Sequence, residues 1–477
     1  MTLNNPRLLL FISLVPAMTR DSIFACLLAG ALPVLAATLP SFLHTRDSFK
    51  QPLGLCETDK KVQQYSGYIK VEDDIELFFW FFEARKDPDK KPLVASFAGG
   101  PGLDSTGEVL LLGPCTFDDV EGDDPKRNDF SFTEVANMIF IDQPVGVGFS
   151  KGSDDKIEEM DSTDKAAPLI WKFFQELYKH KEFSKFKGRD TGIMTSSYGG
   201  HYGPAFASYM LKQKASKTGV PINLRWLAID SGSMDLGIMA SSSIDYAYNN
   251  SYKKLITKPA DYDALRQEFT EDCAPLLKKC KESDEDDDCE DAAMNCMPFA
   301  AGDVLKEMGM DFDKLDVSES VNEDSPWDGP KNDWLSQAKI GRELGAEQEY
   351  AGFNMEIIKQ FYGTGDPARS SLSTLGMVAK AGVAILLTAG DKDLFCNHKG
   401  VQKSAESIDF KGRDKFARKA LSPWKVNGNT YGEYKTEGSI SYLNVKDAGH
   451  GTFAYQPAAG LAFFRQFLAK DHLVSEG

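Results

Sequence analysis

Five short, largely apolar runs, each closed by turn-forming residues, constrain the fold of this chain more than any other feature. Leu93 to Phe97 precedes Gly99-Gly100-Pro101-Gly102, Met138 to Ile141 precedes Asp142-Gln143-Pro144, and Gly192 to Met194 precedes Ser197. Leu227 to Ile229 then leads into Asp230-Ser231-Gly232, and Val383 to Leu387 into Ala389-Gly390-Asp391. A strand that is apolar at every position is buried on both faces, the pattern of parallel strands covered by helices on each side. Helices are legible between the runs. After Pro168, the residues Leu169, Ile170, Phe173, Phe174 and Leu177 recur at helical spacing, as do Leu461, Phe464, Phe467 and Leu468 near the end. Tyr65 to Val71 and Glu76 to Ala84, parted by the acidic turn Glu72-Asp73-Asp74, read as a hairpin at the edge of the sheet. The expected fold class is α/β, a mostly parallel central sheet flanked by helices, with functional groups in loops at the carboxyl ends of the strands.

From about Ile244 to Phe353 the strand rhythm stops. Four cysteines, an acidic run and helix-like stretches such as Ala264 to Leu277 take its place, so this stretch reads as a cap inserted into one large domain. At 477 residues the chain is long for a single average domain but suits an α/β core interrupted in this way. The expected organisation is a signal peptide over 1–37, a first core segment over 38–243, the cap over 244–353 and a second core segment over 354–477. The 71 acidic against 54 basic residues leave a net charge of -17, and no Lys/Arg cluster stands out, which excludes a nucleic-acid partner.

Arg7 precedes the apolar run Leu8 to Ala17, and Arg20-Asp21 separates it from a second run, Ile23 to Ala36. Neither is long enough to span a bilayer. The second ends in Val34-Leu35-Ala36-Ala37, a small-residue cleavage site, and the whole reads as a secretory signal with Met1 or Met18 as its start. The mature protein is therefore expected in the secretory pathway, secreted or vacuolar, without stable membrane insertion. Loss of Cys26 with the signal leaves seven cysteines, an odd number that predicts a free or intermolecular thiol. The four from Cys273 to Cys296 lack CxxC pairs and have no histidine among them, which favours disulfides over zinc. Asn249-Asn250-Ser251 is a glycosylation sequon at Asn249.

Met194 to Tyr202 reads as a strand, a sharp turn with Ser197 at its apex, and a helix opened by Gly199-Gly200. Such a turn holds a serine hydroxyl clear of both arms, as a nucleophile requires. The usual pattern is Gly-x-Ser-x-Gly, and here Thr195 stands at the first glycine. A serine nucleophile needs a histidine to take its proton and a carboxylate to orient that histidine. Among six histidines, His450 lies in a loop between a late strand and the terminal helix, and Asp393 follows the strand Val383 to Leu387. The order Ser, Asp, His is that of an α/β-hydrolase. Taken one at a time, Ser197 and Asp393 are ordinary turn residues and His450 a surface or helix-start residue. The histidines show no paired ligand spacing, so neither a metal nor an organic cofactor is expected.

Across most of the mature chain the motifs resemble those of the serine carboxypeptidase family, particularly its fungal members. Phe97-Ala98-Gly99-Gly100-Pro101-Gly102 resembles the family's N-G-G-P-G loop, Asp142 to Ser150 its D-Q-P-x-G-x-G-F-S signature, and Ser197 to Tyr202 its S-Y-x-G-H-Y segment. Gly390 to Asp393 with Cys396-Asn397 is similar to its aspartate loop, and Ala448-Gly449-His450 with Gln456-Pro457 to its histidine loop. The resemblance implies an α/β-hydrolase fold and a peptide or small acyl substrate. It also implies Ser197 as nucleophile, His450 as general base and acid, Asp393 as its orienter, and an oxyanion hole from the N–H groups of Gly100 and Tyr198. It further implies disulfides Cys273 with Cys296 and Cys280 with Cys289, a free Cys396, and Cys56 with Cys115 as a third pair.

The sequence departs from the family where the substrate's free carboxylate is held. Members that remove the last residue of a peptide use a tryptophan and an asparagine before the double glycine, a glutamate further along that segment, and a glutamate before the serine. Here Ser96, Ala98, Leu111 and Ser196 stand at those positions, around Gly99. Each lost hydrogen bond to a buried charged group costs on the order of 1.5–3 kcal/mol. The leading expectation is a serine carboxypeptidase-like hydrolase with an altered carboxylate pocket. The alternative is an acyltransferase or ester hydrolase acting on a small metabolite. A non-catalytic binding protein on the same scaffold has no physical need to keep Ser197, Asp393 and His450 together.

Overall fold

Every apolar run read from the sequence lies in a strand; that of Leu93 to Phe97 matches its strand, and the other four strands reach past their apolar centres into polar residues or glycine. The computed structural model describes residues 49–52, 54–117, 124–250, 252, 254–301 and 330–476. The expected signal over 1–37, Ser251 of the sequon and part of the expected cap lie outside them. The main sheet has eleven strands. In chain order they are β1 (Gln64–Glu72), β2 (Ile75–Phe82), β3 (Leu93–Phe97), β4 (Asn137–Ile141), the short β5 (Lys151–Gly152), β6 (Asp190–Ser196), β7 (Asn223–Asp230), β8 (Ala384–Gly390), β9 (Ser422–Val426), β10 (Asn429–Glu437) and β11 (Ile440–Val445). Their spatial order is β1-β2-β4-β3-β6-β7-β8-β11-β10-β9, with β5 on β2. The six from β4 to β11 are mutually parallel. The hairpin β1–β2 closes one edge in antiparallel register and β9–β10 the other. This is the α/β-hydrolase architecture expected from the sequence.

Successive side chains on a strand face opposite ways, and the sheet separates two cores accordingly. Phe79, Phe81, Ile139 and Ile141 lie in one, packed with the helix Thr163–Leu177 (α1) and the helix Gly199–Ala215 (α2). Phe78, Trp80, Phe82, Met138 and Phe140 lie in the other, beneath the terminal helix Pro457–Lys470. Burying each such side chain contributes about 1.5–3 kcal/mol. The helix α1 begins at Thr163, so Pro168 falls inside it. The stretch Ala264 to Leu277 is not one helix. Pro259–Glu268 gives way to a π turn at Phe269–Cys273, and a new helix, Ala274–Ser283, starts with Pro275 at its second position. A proline lacks the N–H that a helix interior uses but fits its first turn.

Between β7 and β8 the chain forms helices and no strand of the main sheet among the described residues. Two of these, Ala274–Ser283 and Asp286–Ala301, are joined by disulfides Cys273–Cys296 and Cys280–Cys289. Cys56–Cys115 is the third bridge, and Cys396 is a buried free thiol. All three pairings are those the resemblance implied. No helix of the described residues is long and apolar enough to cross a membrane.

Candidate active site

The parallel strands end in register, which brings distant sequence segments to one rim of the sheet. Phe97 of β3 lies opposite Thr195 of β6, Ser196 opposite Asp230 of β7, Asp230 opposite Thr388 of β8, and Gly390 opposite Val445 of β11. Ser197, Asp393 and His450 follow these strand ends within a few residues. Ser197 has φ 56, a left-handed conformation uncommon for a residue with a side chain. It is held by its N–H donating to Asp230 O at 3.0 Å, and by its carbonyl accepting from Gly200 N and Ser233 N at 3.0 Å each.

Thr195, at the first glycine position of the elbow pattern, is accommodated by the helix that follows. A Cβ on Gly199 would lie 2.4 Å from Thr195 Cβ, and one on Gly203 3.0 Å from Thr195 Oγ1. Those two glycines leave the room, and the Thr195 hydroxyl donates to Gly199 O at 2.9 Å. The Gly99–Gly100 turn presses on the same elbow. A Cβ on Gly99 would meet Ser196 O and Tyr198 N at 2.6 Å and Ser197 Cβ at 2.8 Å. Tyr198 is fixed by its ring stacking on His201 at 4.7 Å and its hydroxyl donating to Asp366.

Asp393 is fully buried and uses both oxygens: Oδ1 accepts from Cys396 N at 3.0 Å, and Oδ2 pairs with His450 Nδ1 at 2.8 Å. Their loops are joined directly, with Asp391 N donating to Val445 O and Lys392 N to Ala448 O. Burial disfavours the imidazolium of His450. The charge and hydrogen bond of Asp393, with the charge of Asp230, more than offset it, so the His450 pKa stands above its ordinary value. Such a pair can hold a proton on the ring during a reaction.

Of the positions expected around the substrate's carboxylate, Ser96 and Ser196 are brought together by a residue the sequence reading missed. Glu108, 2 % exposed, accepts from Ser96 Oγ at 2.7 Å through Oε2 and from Ser196 Oγ at 2.9 Å through Oε1. Ala98 N donates to Ser105 Oγ at 3.1 Å. Leu111 lies one turn after Glu108, half-buried against the core. The signal was a lone glutamate entering the apolar run Val109 to Leu112. Asn249 is exposed at the end of the helix Leu236–Tyr248, away from these groups in the chain.

The serine carboxypeptidase family profile matches residues 54–470. Carboxypeptidase S1 of Penicillium janthinellum is 39% identical over 436 residues, 90% of this chain and 100% of that protein. Carboxypeptidase Y of Schizosaccharomyces pombe is 29% identical over 442 residues, 89% of this chain and 42% of that protein. Among solved structures, Kex1(Δ)p, a prohormone-processing carboxypeptidase from Saccharomyces cerevisiae, superposes with a TM-score of 0.73 at 20% identity, over 90% of this chain and 97% of that one. That likeness carries the fold.

Proposed function

Because this chain belongs to the serine carboxypeptidase family, we propose that it cleaves an acyl bond, at a peptide's C-terminal end in the first instance, through Ser197, His450 and Asp393. The observation that carries the reading is the 2.8 Å pair between His450 Nδ1 and Asp393 Oδ2, on the rim of the sheet where the turn that holds Ser197 in the left-handed region also ends a strand. His450 takes the proton of Ser197 Oγ as that oxygen attacks the carbonyl carbon, and passes it to the leaving group. Water then repeats the sequence on the acyl-enzyme. The N–H groups of Gly100 and Tyr198 are the oxyanion donors, a role the tight packing of Gly99 on the elbow supports. A fluorophosphonate probe should label wild-type protein at Ser197 and leave S197A unlabelled. Folded wild-type protein that resists the probe overturns the reading.

Glu108 favours an altered pocket. The hydroxyls of Ser96 and Ser196 are already engaged by an internal carboxyl group, so the rebuilt floor offers an incoming carboxylate fewer donors than the family's clamp. This supports the second reading, an ester hydrolase or acyl transfer to a small acceptor. Comparing one peptide with its terminus free, amidated and esterified separates the two, with mass spectrometry of products formed with an added alcohol. A strong preference for the free carboxylate removes the second reading. The disulfides suit an oxidising, secretory-pathway compartment. Export through a signal in residues 1–37 belongs to the same proposal, and N-terminal sequencing of the mature protein tests it.

A further inference from the structure

Asp230 joins all three reactive segments, and the proposed chemistry does not use it. Its carbonyl oxygen accepts the N–H of Ser197 at 3.0 Å. Thr452, two residues after His450, donates its N–H to Oδ2 at 2.8 Å and its hydroxyl to Oδ1 at 2.6 Å. Thr388, on the strand leading to Asp393, donates its hydroxyl to Oδ1. The next residue repeats the link. Ser231, at φ 47, donates N–H to Thr388 O at 2.8 Å and accepts Gly451 N–H on Oγ at 3.3 Å.

The Asp230 side chain is fully buried, and among the described residues no lysine or arginine pairs with it. Burying a carboxylate is costly unless it is hydrogen-bonded and faces a cation. Its donors are two neutral threonines, and the titratable groups that feel its charge are the His450 imidazole and the Cys396 thiol, both of which also face Asp393. Of these, His450 alone becomes positive, and does so when it takes the serine proton.

We infer that Asp230 is a positioning residue: its carboxylate locks the histidine loop against the nucleophile turn and stabilises the imidazolium formed as Ser197 loses its proton. The inference rests on the proposed triad. Burial raises the Asp230 carboxyl above its ordinary pKa, and the hydrogen bonds from Thr388 and Thr452 and the His450 charge act against that.

The test is D230N in the full chain, with kcat/KM for an ester substrate followed against pH. His450 must be neutral to act as a base, and Asp230 helps to raise its pKa, so the acid limb should move to lower pH in the variant. The plateau should fall about 10- to 100-fold, the size of effect that losing the outer hydrogen-bond partner of a metal-ligating residue has. A folded D230N with the wild-type limb position would reduce Asp230 to a structural role and overturn the proposal. If D230N does not fold, T388V and T452V carry the test. Each should slow acylation by the fluorophosphonate probe, with T388S and T452S restoring it, and unchanged acylation in both valine variants overturns it. Failure of the wild-type protein to react with the probe sinks the triad reading instead.

Discussion

Gly99→Ala should cripple turnover at a modest cost in stability. The added Cβ would sit 2.6 Å from Ser196 O and Tyr198 N and 2.8 Å from Ser197 Cβ. The favourable separation is about 3.5–4.0 Å, so close to an ångström must be found among backbone atoms. Ser197 already lies at φ 56 and is pinned to Asp230 and Ser233, so the elbow has little freedom to retreat. The Gly99–Gly100 turn must move instead, and it carries one proposed oxyanion donor. Overpacking of this kind costs about 1–3 kcal/mol, whereas losing one oxyanion donor costs about 10²–10³ in kcat. Ester hydrolysis should therefore show kcat reduced by that factor with KM nearly unchanged, while the urea midpoint falls only slightly. Gly363→Ala is the control, since a Cβ there meets nothing within 4 Å. It should leave both quantities within assay error. A G99A protein with wild-type kcat would mean that the contact between loop and elbow is soft, and the oxyanion role of Gly100 would lose its support.

Replacing Cys56 and Cys115 with serine should destabilise more than the same change at Cys280 and Cys289. The bridged residues are 59 apart in the first case and 9 in the second, which corresponds to roughly 4 against 2.5 kcal/mol of denatured-chain entropy. Equal losses in denaturant melts would contradict the loop-length account. Burial, then the charge of Asp104, pushes the Asp142 carboxyl up to about 7 against hydrogen bonds from Phe149 and Thr106. The folded chain then keeps a proton that the unfolded chain has lost, so this group favours folding at low pH and ceases to as pH rises from about 4 through 7. Wild type should gain Tm relative to D142N between pH 7.5 and 5, and parallel pH profiles would refute the shift.

The fold was legible because its central strands have apolar centres closed by turn residues, a signal that survives without any neighbour in view. What escaped was the antiparallel edge β9–β10, where one face meets solvent. Ser422, Pro423, Asn429 and Thr430 are exposed, and the buried residues are single ones such as Trp424. Short apolar runs also understated β6 and β7, whose first residues, Asp190 and Asn223, are polar. The proposed triad could be assembled because each member follows a strand. Glu108 could not, because the pairing of Ser96 with Ser196 through a third side chain exists only once β3 and β6 lie side by side. Asp230 had read as a turn former, since nothing local says that Thr388 and Thr452 will converge on it.

The insertion of the disulfide-bearing helices between β7 and β8 also sets an order of events during synthesis. The Gly99–Gly100 turn and Ser197 leave the ribosome first, after strands β3 and β6. The strands that deliver Asp393 and His450 come after the whole inserted segment, and β11 is the last strand of the sheet to be made. A growing chain thus carries the proposed nucleophile without its proposed base, and its sheet stays open at β7, exposing an apolar strand edge until β8 docks. The same chain order that would keep the proposed triad incomplete until synthesis ends makes that interval the one in which the chain is most prone to aggregate.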